Sequence, residues 1–448
     1  MALAVLCIIG FIAHSAIVSR LVFPKLQLRT FRMLCIAVTL ISLTGCGQVT
    51  SSSGAGRSSS ATATNPITIA RQPAASTFFG LTVLNYQNVT PQLTFGTART
   101  WNAHPTLDWA EANPAAGQYN FAPLNTFIAT NQSRETQILY TFGRTPQWAS
   151  TRPDATGPYG PGQCAPPILS AWDQYVTVAV TNAAGRIKYW ELWNEPDQTA
   201  SYCGDIPSMV TMAQHAYAII KSIDPSATVL SPAASGEPGS TWFDSFLTAG
   251  GLNTFDVVAF HGYGGAQAEQ INAIVDDYRL VMSRHNLSAL PLWDTECSWA
   301  ESSIGDDAHR AAFLSKYFFL QWSRGVDRVL WYAYDGNPQW GRLIDATGNL
   351  LPSGVAYGES YKWIVGATLT QPCTQDQSGT WTCSIKRPGG YQAGILWNST
   401  VSATTNAKAP PQMKEYRDVG GDVNPIVNGT VPVQNLPILL ETGPIPPQ

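Results

Sequence analysis

Arg186-Ile-Lys-Tyr-Trp-Glu-Leu-Trp-Asn-Glu-Pro196 decides how the rest of this 448-residue chain is read. Tyr189, Glu191 and Trp193 alternate with Trp190 and Leu192, so side chains point to both faces of a sheet. Pro196 has no backbone N–H and cannot continue a central strand, which predicts that the strand stops at Glu195. A carboxylate at the C-terminal end of a strand is where barrel enzymes keep their chemistry. A surface-turn acid beside a proline is the competing reading of this stretch alone.

Outward from it, short apolar runs alternate with amphipathic stretches. Strands are expected at 78–81, 97–101, 137–142, 187–194, 228–231, 257–261, 290–296 and 328–334, and helices at 171–184, 208–223, 268–285 and 308–324. Eight strands alternating with helices predict an α/β fold, a (β/α)8 barrel over residues 77–366. Past residue 367 the helical periodicity stops. The runs 381–386, 391–397 and 434–440, set between Gly, Pro and Asn turns, predict a small β-sandwich-like accessory domain over 367–448. The segment just before the barrel is a candidate to complete it.

Hydrophobic residues make up 44% and charged residues 12%, which suits a weakly charged globular protein and excludes a disordered one. Fifteen Trp and 17 Tyr either fill cores or line a carbohydrate cleft, since sugar C–H faces stack on aromatic rings. The N-terminus is not part of the fold. Residues 1–19 are mostly apolar, and Arg20, Lys25, Arg29 and Arg32 then precede a second apolar run from Met33 to Leu43. That run is too short to span a bilayer and suits the core of a signal peptide. It ends in Leu43-Thr-Gly-Cys46, which resembles the bacterial lipobox. The resemblance implies that residues 1–46 direct export and that Cys46 is lipidated, so the protein meets the membrane only through a lipid anchor, in the bacterial cell envelope or outside the cell. The first apolar segment fits either a start site upstream of the true one or a membrane helix. Residues 47–76, rich in Ser, Thr and Gly, are a linker.

Removing residues 1–45 takes the balance from 26 basic against 30 acidic (−4) to 22 against 30 (−8). An acidic chain without Lys/Arg patches excludes a nucleic-acid partner. Cys164 with Cys203, and Cys373 with Cys383, suit disulfides of an exported protein, leaving Cys297 beside an acid. No Cys/His spacing suggests a metal site, and no cofactor is called for.

That neighbouring acid matches the first. Leu290-Pro-Leu-Trp-Asp-Thr-Glu296 is another apolar strand ending in a carboxylate, 101 residues after Glu195. Counted as strands four and seven, the two ends face each other across a barrel mouth. Carboxyls about 5–5.5 Å apart there would serve a retaining glycosidase.

Trp-Asn-Glu-Pro on strand four with Trp-Asp-Thr-Glu on strand seven resembles glycoside hydrolase clan A, the retaining (β/α)8 families that include families 5 and 39. The resemblance implies that Glu195 is the acid/base, Glu296 the nucleophile, and that Asn194 bonds the sugar 2-OH. His261-Gly-Tyr263 resembles the strand-six His-x-Tyr, whose tyrosine orients the nucleophile. Arg99 resembles the strand-two arginine that keeps the nucleophile ionised, and Trp331 the strand-eight aromatic that floors the subsite. Trp109-Ala-Glu-Ala-Asn-Pro-Ala-Ala-Gly-Gln-Tyr-Asn-Phe121 is similar to a stretch after strand two in family 39. The chain departs from the pattern at Cys297-Ser298, where many relatives have a glycine, and at Tyr140-Thr-Phe-Gly143, where family 5 has a histidine.

The expectation is a retaining β-glycoside hydrolase acting on an oligo- or polysaccharide, with Glu195 kept protonated by the charge on Glu296. A lipid-anchored glycan-binding protein without turnover, and a transglycosylase, are the alternatives. Trp101, Trp148, Trp193 and Trp299 are candidate sugar platforms.

Overall fold

A computed structural model of the chain describes residues 72–299, 304–400 and 404–447. The export segment, Cys46 and most of the linker lie outside the described residues. Nine parallel strand segments form one sheet: β1 Phe79–Leu81, β2 Thr97–Arg99, β3 Gln137–Thr141, β4 Tyr189–Glu191, β5 Thr228–Leu230, β6 Ala234–Ser235, β7 Val258–His261, β8 Leu292–Cys297 and β9 Arg328–Trp331. The hydrogen-bonded order is β5-β4-β3-β2-β1-β9-β8-β7-β6. Its two ends, β5 and β6, are the halves of a single barrel strand that is broken around Pro232, which has no N–H to give. Leu230 bridges to Val257, the Ser231 N–H reaches the Val257 carbonyl, and the Ser231 hydroxyl accepts from the Ala259 N–H. The ring is thereby closed: this is the eight-stranded barrel, with strand five in two pieces.

Helices α1 Trp109–Ala112, α2 Ala122–Gln132, α3 Leu169–Ala183, α4 Ile206–Ile223, α5 Gly236–Phe246, α6 Ile271–Arg284, α7 Asp307–Ser323 and α8 Pro352–Ile364 alternate with the strands. Asp108, Asp205 and Asp306 start α1, α4 and α7 by accepting the backbone N–H of Glu111, Ser208 and His309. Each satisfies one of the orphan donors of the first turn. The main apolar core lies between the helices and the outer face of the sheet, where Trp190 is fully buried against Tyr140 and Phe142. A smaller cluster, including Leu139, Leu230, Val257, Trp293 and Leu330, fills the barrel interior.

Strand four ends earlier than its sequence predicts. Regular pairing stops at Glu191, and beyond it only Asn194 bridges to Ala233. The alternation breaks at the same point: Trp193 turns to the helix side, against Trp172 and Tyr202, while Tyr189 faces Trp293 in the barrel.

Eight further strands follow: β10 Thr368–Gln375, β11 Thr380–Lys386, β12 Gln392–Asn398, β13 Thr405–Lys408, β14 Glu415–Asp418, β15 Val423–Pro425, β16 Thr430–Val433 and β17 Ile438–Glu441. They pair as an antiparallel six-stranded sheet, β10-β11-β12-β17-β14-β15, and the ribbon β13-β16. Val431 and Val433 from the ribbon pack on Ile438 and Leu440 from the sheet, which makes a small sandwich. Among the described residues before the barrel, 72–76, none adds a strand to it; Ala74 bridges to Val365. Both expected disulfides, Cys164–Cys203 and Cys373–Cys383, are formed, and Cys297 is free and buried.

Candidate active site

Inward side chains stack in layers along the barrel axis. Nearest the strand starts, the Arg328 guanidinium lies 4.0 Å from the Trp293 ring and 4.4 Å from Tyr189. Above them Glu191, fully buried, accepts from Thr141 Oγ1 at 2.7 Å and from Arg99 Nη2 at 2.7 Å. Arg99, also fully buried, is the hub. It donates to Asn194 Oδ1 at 2.9 Å, meets His261 Nε2 at 3.1 Å, and forms an ion pair with Glu296 Oε2. Burial works against its charge, and Glu191 and Glu296 outweigh that to raise its pKa.

At the mouth, Glu296 is held at both oxygens, since Tyr263 Oη donates to Oε1 at 2.7 Å. Glu195 Oε1 lies 3.0 Å from His261 Nδ1. Its N–H donates to the Ala233 carbonyl at 2.8 Å, and its φ of 44° is left-handed. A non-glycine residue there stores strain that the surrounding contacts must hold, a frequent mark of a functional position. A guanidinium has no acceptor, so Arg99 donates to Nε2 and the neutral His261 ring donates from Nδ1 to Glu195.

Glu195, His261 and Glu296 each offer an atom within 4.8 Å of the others. Among the described residues this is the one group with metal-ligand geometry. Arg99 already supplies positive charge at hydrogen-bond distance from two of its members, so the set does not suit a cation.

Burial pushes the Glu195 pKa up, but the hydrogen bond from His261, with Ser235 and Arg99, brings it below the ordinary value. This is the reverse of the direction expected from the Glu296 charge alone: the hydrogen bond from His261, with Ser235 and Arg99, outweighs burial. Burial lowers the His261 pKa, and the Glu296 and Glu195 carboxylates more than offset it, so it rises. Burial and the Glu296 charge raise Tyr263 far above the usual phenol range, so its hydroxyl stays a donor.

These groups open into a cavity of about 480 Å³ lined by Trp101, Asn102, Tyr159, Glu195, Gln198, Ala200, Ser201, Ser235, Tyr263, Glu296, Tyr332 and Trp340. No Lys or Arg lines it. A cavity of about 520 Å³ in the sandwich, among Thr382, Lys386, Lys408 and Met413, has no carboxylate or histidine in its wall.

The structure brings Glu195, Glu296, Asn194, Arg99, His261 and Tyr263 together. It does not put Trp331 on the cavity floor: that ring is fully buried against Trp299 and Phe318, with Nε1 on the Gly341 carbonyl. The strand-eight aromatic facing the cavity is the next residue, Tyr332, whose hydroxyl accepts from Asn102 Nδ2 at 3.0 Å. Of the four platform candidates Trp101 lines the cavity. Trp193 and Trp299 are core, and Trp148 bonds the Asn113 carbonyl. The sequence missed Tyr159 and Trp340, which sit on irregular loops where no periodicity marks them. The cation–π contacts of Arg144, 4.7 Å from Trp101 and 4.1 Å from Tyr159, were equally invisible.

No curated protein matches the chain in sequence. Among solved structures, a family 39 glycoside hydrolase from Bacteroides cellulosilyticus WH2 superposes with a TM-score of 0.66 at 20% identity, over 83% of this chain and 82% of that one. A GH39 β-xylosidase from Caulobacter crescentus gives 0.61 at 18%, over 84% and 98%. A GH30 endoxylanase from Clostridium papyrosolvens gives 0.58 at 13%, over 84% and 98%. At these identities the likeness is one of fold. The family model described as "Glycosyl hydrolase catalytic core" matches residues 120–357, which is over half the chain and carries both carboxylates of the mouth. The chain belongs to that family and is a glycoside hydrolase.

Proposed function

We propose that the protein hydrolyses β-glycosidic bonds of an oligo- or polysaccharide with retention of configuration. The observation that carries this is the spacing of Glu195 and Glu296, whose oxygens lie within 4.8 Å. Retaining enzymes hold their carboxyls about 5–5.5 Å apart, whereas inverting ones leave about 6.5–9.5 Å for a water. Glu296, held at both oxygens by Arg99 and Tyr263, attacks the anomeric carbon. The glycosidic C–O bond breaks, and the leaving oxygen takes the proton of Glu195. Glu195 then removes a proton from water, the water oxygen attacks the anomeric carbon, and the bond to Glu296 breaks. Asn194, its Oδ1 already taken by Arg99, has its amide N–H groups to offer the sugar 2-OH.

Trp101, Tyr159, Tyr332 and Trp340 supply aromatic faces, and the absence of lining Lys or Arg favours neutral sugars over uronates. Two disulfides support an exported protein. Among the described residues no helix is long and apolar enough to cross a membrane, and attachment through Cys46 belongs to the same proposal. Glu195→Gln and Glu296→Gln are the test. Each should lower kcat by at least about 10²–10⁴-fold with an unchanged melting profile. Near-native rates in either variant would refute the acid/base and nucleophile roles.

A further inference from the structure

His261 and Tyr263 address different carboxylates, yet they hang from one turn of the chain. Gly262 between them is held on three sides. Its N–H donates to Asp294 Oδ1 at 2.8 Å and to the Glu296 carbonyl at 3.0 Å, while its own carbonyl accepts from Tyr317 Oη. The same Tyr317 oxygen accepts the Gly264 N–H at 3.1 Å. Asp294 and Tyr317 are both fully buried, and neither lines the cavity. The fit is close: a Cβ at Gly262 would come within 2.2 Å of Asp294 Oδ2. A buried acid costs free energy unless its contacts do something for the structure, and this one touches the turn that carries two site residues.

We propose that Asp294 and Tyr317 are positioning residues that clamp the His261–Gly264 turn, aiming His261 at Glu195 and Tyr263 at Glu296 together. Asp294 comes from the strand that carries Glu296, and Tyr317 from the middle of α7. One clamp therefore ties both halves of the catalytic pair to barrel and helix. This inference rests on the reading of Glu195 and Glu296 as that pair.

Burial raises the Asp294 carboxyl to about 7, against the lowering effects of the Gly262 N–H, Gln321, His261 and Cys297. The other ionisable groups facing it are Tyr278 and Tyr317. Its titration gives the clamp a signature that a packing role lacks.

Two variants test it on an aryl β-glycoside or any hydrolysed oligosaccharide. Tyr317→Phe removes the hydroxyl that serves Gly262 and Gly264, and should lower kcat about 10²-fold while KM changes little, because the cavity wall is untouched. Asp294→Asn keeps an acceptor oxygen for Gly262 but cannot ionise, so the inflection near pH 7 expected in the wild-type kcat profile should vanish. If Tyr317→Phe does not fold, the Asp294→Asn profile decides alone. Wild-type kcat in Tyr317→Phe together with an unchanged pH profile in Asp294→Asn would overturn the clamp. Native rates in Glu195→Gln or Glu296→Gln would instead overturn the underlying roles, so the two failures are distinguishable.

Discussion

Glu195 sits between opposing influences, and His261 decides the balance. Burial in the barrel mouth favours the neutral carboxyl, yet the Nδ1–H of His261 at 3.0 Å stabilises the anion and lowers the pKa. In the proposed role Glu195 must be protonated to expel the leaving group, a form populated only as pH falls, so kcat/KM should decline as pH rises through the Glu195 titration. The two groups titrate as a pair, so the measured limb belongs to both. Replacing His261 with Ala removes the donor and lets burial dominate. The alkaline limb of the kcat/KM profile should then move to higher pH, while kcat falls about 10²-fold because Glu195 is no longer held. A limb that stays in place or moves down would show that His261 does not set the acid. Neither motif revealed this direction, because the sequence identifies the two carboxylates but not how near the histidine comes to one of them.

At the scale of elements, the loops after β3 and β4 build one side of the cavity with Tyr159, Gln198 and Ser201. Cys164–Cys203 staples them across a separation of 39 residues, and the Cys203 N–H donates to the Cys164 carbonyl at 2.7 Å. A cross-link over such a loop restricts the unfolded chain, so Cys164→Ser with Cys203→Ser should cost about 2–4 kcal/mol in denaturant melts. A stability loss near zero would mean that the loops are held by their packing alone. The barrel strands were legible because each is a compact apolar run, and α3, α4, α6 and α7 because their apolar residues recur with helical period. Helix α5, Gly-Glu-Pro-Gly-Ser-Thr-Trp-Phe-Asp-Ser-Phe, was not: two glycines and a proline argue against a helix. Burial of Phe243 and Phe246 overrides that propensity. In the sandwich, β13 and β14 are four residues long with exposed or half-buried polar side chains, too short and mixed for a period-2 signal. Trp331 was assigned one residue away from Tyr332 because the strand-end turn, not the strand's alternation, selects which ring faces the mouth.

The molecule as a whole joins barrel and sandwich through buried polar contacts as well as apolar ones. Glu269, in the short turn just before α6, accepts from Trp397 Nε1 at 2.9 Å and from the Ser399 hydroxyl, and pairs with Lys316 of α7. The sandwich thus abuts α7, the helix that carries Tyr317, and the turn just before α6. Closure of the barrel brings Glu195 and Glu296, 101 residues apart in sequence beyond β4 and in β8, to within 4.8 Å of each other, the spacing on which the proposed retention rests. The most direct test of that spacing is the configuration of the first-formed product, followed by proton NMR of the anomeric signal during hydrolysis of a β-glycoside. The β-anomer should appear first and mutarotate afterwards to the equilibrium mixture. An initial α-anomer would contradict a covalent intermediate on Glu296.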